Sequence, residues 1–243
     1  MYLQDYFWFL GAIFICMIFS IFASAKINFA FKKGNKTTCS SSLTGYDTAV
    51  RLLRANGITD VSVQRVSGKL TDHYHPKKGL LCLSQSTYGN DSVAAVAVAA
   101  HEVGHVVQRQ KGYFWYGLRT VLVPIVNIGT RIALPLVLLG FLMDIFASSA
   151  DSQTGFYVAM AGVILYGGSL VFALVTLPVE INASNRAQKM LLEQGILSTE
   201  EISCAKEVLS AAALTYLASA LTSLVYFLRF LLMVLTVFGK RKR

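Results

Sequence analysis

Val93-Ala94-Ala95-Val96-Ala97-Val98-Ala99-Ala100-His101-Glu102-Val103-Gly104-His105-Val106-Val107-Gln108-Arg109-Gln110 is the stretch on which the reading of this chain turns. Asn90-Asp91-Ser92 before it is a helix-start cluster, and Gly112 after it is a helix stop. The pattern predicts one helix over 93–110. Its uninterrupted apolar part, 93–100, is too short to cross a bilayer, so its alanines and valines describe a helix buried within protein. His101 and His105 stand four apart and share a face, so both imidazoles can reach one metal ion. The spacing is H-E-x-x-H. Zinc acidifies water, and Glu102, beside the first histidine, is placed to accept the proton and later hand it to a leaving amine. The bland alternative is three polar groups solvated on a helix surface. The packed apolar residues just before them argue against it, because buried ionisable groups need partners.

Composition sets the surroundings of that helix. Of 243 residues, 54% are hydrophobic and 14% charged, where a soluble domain carries about a quarter charged. Mean hydropathy is +0.54. Disorder, a collagen-like repeat and a secreted disulfide scaffold are excluded, leaving an integral membrane protein with a modest soluble part. Cys16, Cys39, Cys82 and Cys204 show no C-x-x-C spacing and read as reduced thiols. The net charge of +9 sits largely beside apolar runs, where lysine and arginine fix topology and meet anionic lipid. No RRM, helix-turn-helix or finger pattern points to nucleic acid.

The apolar runs come in order. Residues 6–25 are free of charge and read as an uncleaved transmembrane anchor. Residues 121–147 form a second span, interrupted by Pro124, Asn127, Arg131 and Pro135 and therefore kinked. Residues 156–179 form a third, with Gly162, Gly167 and Gly168 for close packing. The polar link 148–155 makes the second and third a hairpin. Residues 211–238 form a fourth run, spanning or packed on protein, with Arg229 inside it. Arg131 and Arg229 read as snorkelling or helix-pairing groups. Lys26, Lys32, Lys33, Lys36, Arg51 and Arg54 follow the anchor, which puts that side in the cytoplasm. A spanning fourth run leaves the tail Lys240-Arg241-Lys242-Arg243 outside; a packed or re-entrant one keeps it inside, the reading favoured here.

Two soluble pieces result, 26–118 and 180–210. In the first, 44–57 reads as a short helix. Alternation at 61–64, and runs at 69–74 and 80–83 around the turn signal His75-Pro76-Lys77-Lys78-Gly79, predict a small sheet of two or three strands. In the second, Ser198 and Glu201 have the spacing of a capping box. Two spans separate His105 from Glu180, so the chain returns to the same face there.

A catalytic zinc takes three protein ligands and a water. Glu180, His73 and His75 are the candidates for the third ligand. Glu193, Glu200 and Glu201 sit where solvated helix surface is expected. Leu70-Thr71-Asp72-His73-Tyr74, Leu83-Ser84, Val98 to His105, Leu177-Pro178-Val179-Glu180 and Leu214-Thr215-Tyr216 together resemble the bacterial membrane-bound neutral zinc metallopeptidases of the YugP type, over nearly the whole chain. The arrangement is also similar to gluzincins, in which a glutamate on a second helix completes the zinc site. The resemblance implies a mainly α membrane protein with a zincin-like α+β catalytic part, a small sheet plus the H-E-x-x-H helix, and three or four apolar helices.

It implies one Zn2+ on His101, His105 and Glu180, Glu102 as general base, and a protein or peptide as substrate. It implies a multi-pass protein of the bacterial cell membrane; the apolar runs put it in contact with lipid, and the basic residues from Lys26 to Arg54 put its active site on the cytoplasmic face. The family pattern has aspartates where this chain has His75 and Asn182; Asn182 can still hydrogen-bond a ligating histidine. Tyr216 can donate to an oxyanion, or be a packed or interfacial tyrosine. Asp72 and His73 can lie on an edge strand that receives the substrate backbone, or be a turn-flanking polar pair. Asn182 and Ser184 lie close to Glu180 in sequence. Two rivals to a membrane-anchored zinc endopeptidase remain: a transporter or scaffold stabilised by a metal, and an intramembrane-cleaving protease. No repeat symmetry supports a transporter, and the metal helix is too short an apolar run for intramembrane cleavage.

Overall fold

The computed structural model describes residues 2–146 and 153–239. Its elements are α1 (Tyr2–Gly34), α2 (Gly45–Ala55), β1 (Ser62–Val66), β2 (His73–His75), β3 (Leu80–Ser84), α3 (Gln85–Tyr88), α4 (Val93–Gln110), α5 (Phe114–Phe146), α6 (Thr154–Glu193) and α7 (Glu201–Gly239). Among the described residues α1, α5, α6 and α7 are long and apolar enough to cross a membrane. The protein is a mainly α membrane protein with a small sheet. The chain divides into two compact units. One comprises Met1–Ser20, Leu118–Thr176 and Tyr216–Arg243, and the other Ile21–Gly117 and Leu177–Thr215.

The first unit holds the apolar helices. α5 runs through both Pro124 and Pro135 as one helix. Most of the predicted hairpin link falls on 147–152, outside the described residues. α5 and α6 meet backbone to backbone. A Cβ on Gly140 would lie 2.5 Å from the Gly155 carbonyl oxygen, and one on Gly162 would lie 2.6 Å from that of Ala133. Small residues permit this approach, the usual basis of helix pairing in lipid. Val137, Ala159, Val163, Val234 and Phe238 form the packed centre. α7 is one uninterrupted helix with no re-entrant turn. It runs antiparallel to α1, since Phe9 meets Tyr226, and Arg229, one turn nearer the α7 C-terminus, lies over Tyr6 and Phe9. Arg229 is thus a helix-pairing group, its guanidinium 5.1 Å from the Phe9 ring centre.

The second unit is built around α4. Ser92 caps it by accepting from the Ala95 amide at 3.2 Å, the role expected of the Asn-Asp-Ser cluster. Most of α4 is buried, and Val93, Val96, Val103 and Val106 pack with Leu52, Leu81, Leu83, Leu191 and Ile196 in the core. This explains an apolar helix that does not span: its environment is protein. The sheet has three strands in the order β1-β3-β2, with β1 parallel and β2 antiparallel to β3. β3 is the central, buried strand and β2 an edge. Arg109 on α4 donates to the Tyr74 hydroxyl at 2.6 Å and so ties β2 to that helix.

α6 has 40 residues, or about 60 Å of helix, twice the roughly 30 Å hydrocarbon thickness of a bilayer. One upright crossing thus needs only about half of it, and its Leu177–Glu193 part belongs to the second unit. Glu201 caps α7 reciprocally with Ser198, as its spacing predicts. It also accepts from the Ser40 amide at 2.7 Å and the Ser40 hydroxyl at 2.8 Å. It is a structural tie rather than the simple surface charge expected.

Candidate metal centre

α4 and α6 cross at small residues, Gly104 and Ala183. A Cβ on Gly104 would sit 2.7 Å from the Ala183 carbonyl oxygen, so only glycine lets the two backbones approach this closely. That approach carries Glu180, one turn before Ala183, to the face of α4 that holds both histidines. Glu180 Oε2 lies 3.2 Å from His101 Nε2 and 3.4 Å from His105 Nε2. The imidazole rings are 4.8 Å apart, centre to centre, and nearly perpendicular. Glu180 is 2% exposed.

These distances fit a metal ion. Zinc bonds of about 2.0–2.2 Å in a tetrahedron separate the donor atoms by about 3.3–3.6 Å, and the donor atoms of His101, His105 and Glu180 all lie within 4.8 Å of one another. Both histidines point Nε2 inward and are held from behind through Nδ1. For His101 the partner is the Ser184 hydroxyl at 3.1 Å, and for His105 it is the Gln108 amide oxygen at 3.0 Å. Such outer partners orient metal ligands.

Electrostatics follow burial. Burial drives the Glu102 carboxyl above the usual carboxylate range, against the opposing pull of His105 and His101. For His105 burial opposes the charged form, but the hydrogen bond and charge of Glu180 outweigh it and the group is raised. Glu102 is 8% exposed and stands beside the ligand face rather than on it.

The other sequence candidates are placed as follows. Asp72 accepts from the Ser84 amide at 2.8 Å and the Ser84 hydroxyl at 2.9 Å, which ties the start of β2 to the end of β3. His73 is exposed on β2, its Nδ1 2.9 Å from the Thr71 carbonyl oxygen. His75 pairs with Leu80 across the sheet. Neither joins the three-residue cluster. Asn182 meets Gln108 and Arg186 rather than a histidine. Tyr216 falls in the first unit, with the apolar helices. Gln108 is the functional residue that sequence reasoning missed. Its signal was its position three after His105, one turn along the same face, but Gln-Arg-Gln at a helix end reads as a solvated terminus.

Comparison with known proteins gives the family. The family described as "Putative neutral zinc metallopeptidase" matches residues 9–235. The chain is 40% identical over 216 residues to "Putative membrane protease YugP" of Bacillus subtilis (strain 168), covering 89% of this chain and 92% of that protein. No solved structure matches. With two histidines and a glutamate at zinc-bonding separations, on helices matched over most of their length, this chain belongs to the neutral zinc metallopeptidase family.

Proposed function

We propose that the chain is a membrane-anchored zinc-dependent endopeptidase holding one ion on His101, His105 and Glu180. The observation that carries this reading is the inward convergence of three donor atoms with Glu102 beside them. Zinc, when bound, supplies a Lewis acid that acidifies water and polarises the scissile carbonyl. Glu102 takes the proton of the attacking water and passes it to the departing amine nitrogen, so a peptide bond and one water become a carboxylate and an amine. Burial raises the proton affinity of the Glu102 carboxylate, which suits it to both transfers. Ser184 and Gln108 hold the two imidazoles in place from behind.

The substrate is a protein or peptide. The open edge of β2, at His73–His75, offers backbone groups that pair with an extended chain. Asp72 keeps that strand in register through Ser84. The basic residues after the anchor, Lys26 to Arg54, support a cytoplasmic face for the site.

The competing scaffold reading requires a closed site with a fourth protein ligand. Among the described residues the cluster has three histidine or acidic members and no fourth, which favours an open position for water. Glu180→Gln is the test. It keeps the shape of the side chain and removes its charge, so zinc uptake and peptide hydrolysis should both fall sharply. Parental zinc stoichiometry and affinity in that variant would remove Glu180 from the ligand set.

A further inference from the structure

The two histidines are held from behind by chemically different partners. Behind His101 stands a hydroxyl, Ser184 Oγ, at 3.1 Å. A hydroxyl can donate or accept, so it leaves the His101 tautomer open. Behind His105 stands the Gln108 amide oxygen, at 3.0 Å from Nδ1. The other end of that amide, Nε2, donates to the Val179 carbonyl oxygen at 2.8 Å and to Asn182 Oδ1 at 3.0 Å.

The direction of these bonds is forced. A backbone carbonyl only accepts, so the end of Gln108 facing Val179 is the nitrogen. The atom of Asn182 facing Gln108 also faces Arg186 Nε at 2.7 Å. A guanidinium only donates, so that atom is the Asn182 oxygen. Reversing the Gln108 amide would press its oxygen against two acceptors. Gln108 is fully buried, so no bulk solvent relieves such a mismatch. The Gln108 oxygen therefore faces His105, and Nδ1 of His105 is the donor. On the other side of the ring Nε2 faces the Glu180 carboxylate, which also only accepts and so competes for the ring proton while no metal is bound; a metal ion there would take the Nε2 lone pair and leave the proton on Nδ1.

We propose that Gln108 is a positioning residue that locks His105 in the Nδ1–H tautomer, its direction set by the Val179 carbonyl and by Arg186 through Asn182, so that the Nε2 lone pair is presented to the metal. This rests on the zinc reading above and deepens it. α6 acts twice: through Glu180 as a ligand, and through Val179, Asn182 and Arg186 as the source of the polarity that reaches α4. Arg186 is steadied in turn against the Tyr113 ring, 6.0 Å from its centre.

The test uses the full-length chain in detergent with 15N-labelled histidine, metal-free, carrying Glu180→Ala so that no carboxylate holds a proton on Nε2, at alkaline pH where the imidazole is neutral. His105, assigned by the signal lost in His105→Asn, should show the Nδ1–H tautomer. Gln108→Met, close in size and lacking the amide, should show mixed tautomers in that background and, with Glu180 present, bind zinc about 10–100-fold more weakly than the parent, the usual effect of losing an outer partner. Asn182→Asp still accepts from both Gln108 and Arg186, and should keep the parental tautomer and affinity. A proton on Nε2 rather than Nδ1 of His105 in the Glu180→Ala chain overturns the proposal, and Glu180→Leu provides a second background for the same measurement. Parental tautomer and affinity in Gln108→Met also overturn it. A parent chain that takes up no zinc, alongside Nδ1–H on His105 in the Glu180→Ala chain, would contradict the zinc reading and uphold the relay.

Discussion

Gly104→Ala reverses the sign that helix propensity assigns to it. In an ordinary helix interior, replacing glycine by alanine gains about 0.5–1 kcal/mol. Here the new methyl would lie 2.7 Å from the Ala183 carbonyl oxygen and 3.2 Å from the Ala183 carbonyl carbon and Cα. Ordinary contact lies near 3.5–4.0 Å, so α4 and α6 must part by about 0.5–1 Å. Backbone cannot move aside as the end of a flexible side chain can. Overpacking of this kind costs about 1–3 kcal/mol, which exceeds the propensity gain and leaves the variant less stable.

The same displacement acts on the metal centre. His105 is the next residue on α4, and Glu180 is one turn from Ala183 on α6. Adding it to the present 3.2 and 3.4 Å separations exceeds the roughly 0.5 Å within which functional geometry must be held. Zinc affinity should fall at least about tenfold, equivalent to about 1.4 kcal/mol. A thermal melt of the metal-free chain and a competitive zinc titration against a chromophoric chelator read the two effects separately. A variant that melts higher than the parent and binds zinc equally well would refute the close approach of the two helices and the reasoning built on it.

Glu201→Ala removes the acceptor for the Ser40 amide, the Ser40 hydroxyl and the Ser198 amide. A loss of about 1–3 kcal/mol is expected, seen as a lower Tm, and an unchanged Tm would show the tie to be idle. Orientation is best probed at Lys77→Cys, since Lys77 is exposed in the turn between β2 and β3, whereas Cys39 is buried with its thiol against the Ile196 carbonyl. In sealed cells an impermeant maleimide should label Lys77→Cys only after permeabilisation, and prompt labelling of intact cells would reverse the topology.

Much of this protein is legible in the sequence because its strongest signals are local. The bounds of α4 follow from a cap, a stop and an apolar stretch too short to span, and the H-E-x-x-H spacing puts two imidazoles on one face by helix geometry alone. The four apolar helices follow from length and the scarcity of charge. Long-range partners are the part that pattern does not carry. Nothing in the local sequence says that Gly104 must be bare of a side chain, because the need comes from Ala183, far along the chain. Gln108 reads as solvated beside Arg109 and Gln110, although it faces inward while Arg109 reaches β2. Asp72 has the look of a substrate-facing carboxylate, yet both its oxygens are taken by Ser84. Glu201 looks like solvated helix surface until the Ser40 loop folds against it.

The central claim is that this donor set carries zinc for peptide hydrolysis with Glu102 as the base. The most direct measurement is zinc content together with casein cleavage by the purified full-length chain, alongside Glu102→Gln. The account predicts about one zinc per chain in both proteins, with hydrolysis by the parent alone and its loss on chelation. Equal turnover in Glu102→Gln would contradict the general-base assignment, and a parent chain that holds zinc without cleaving would contradict the enzyme.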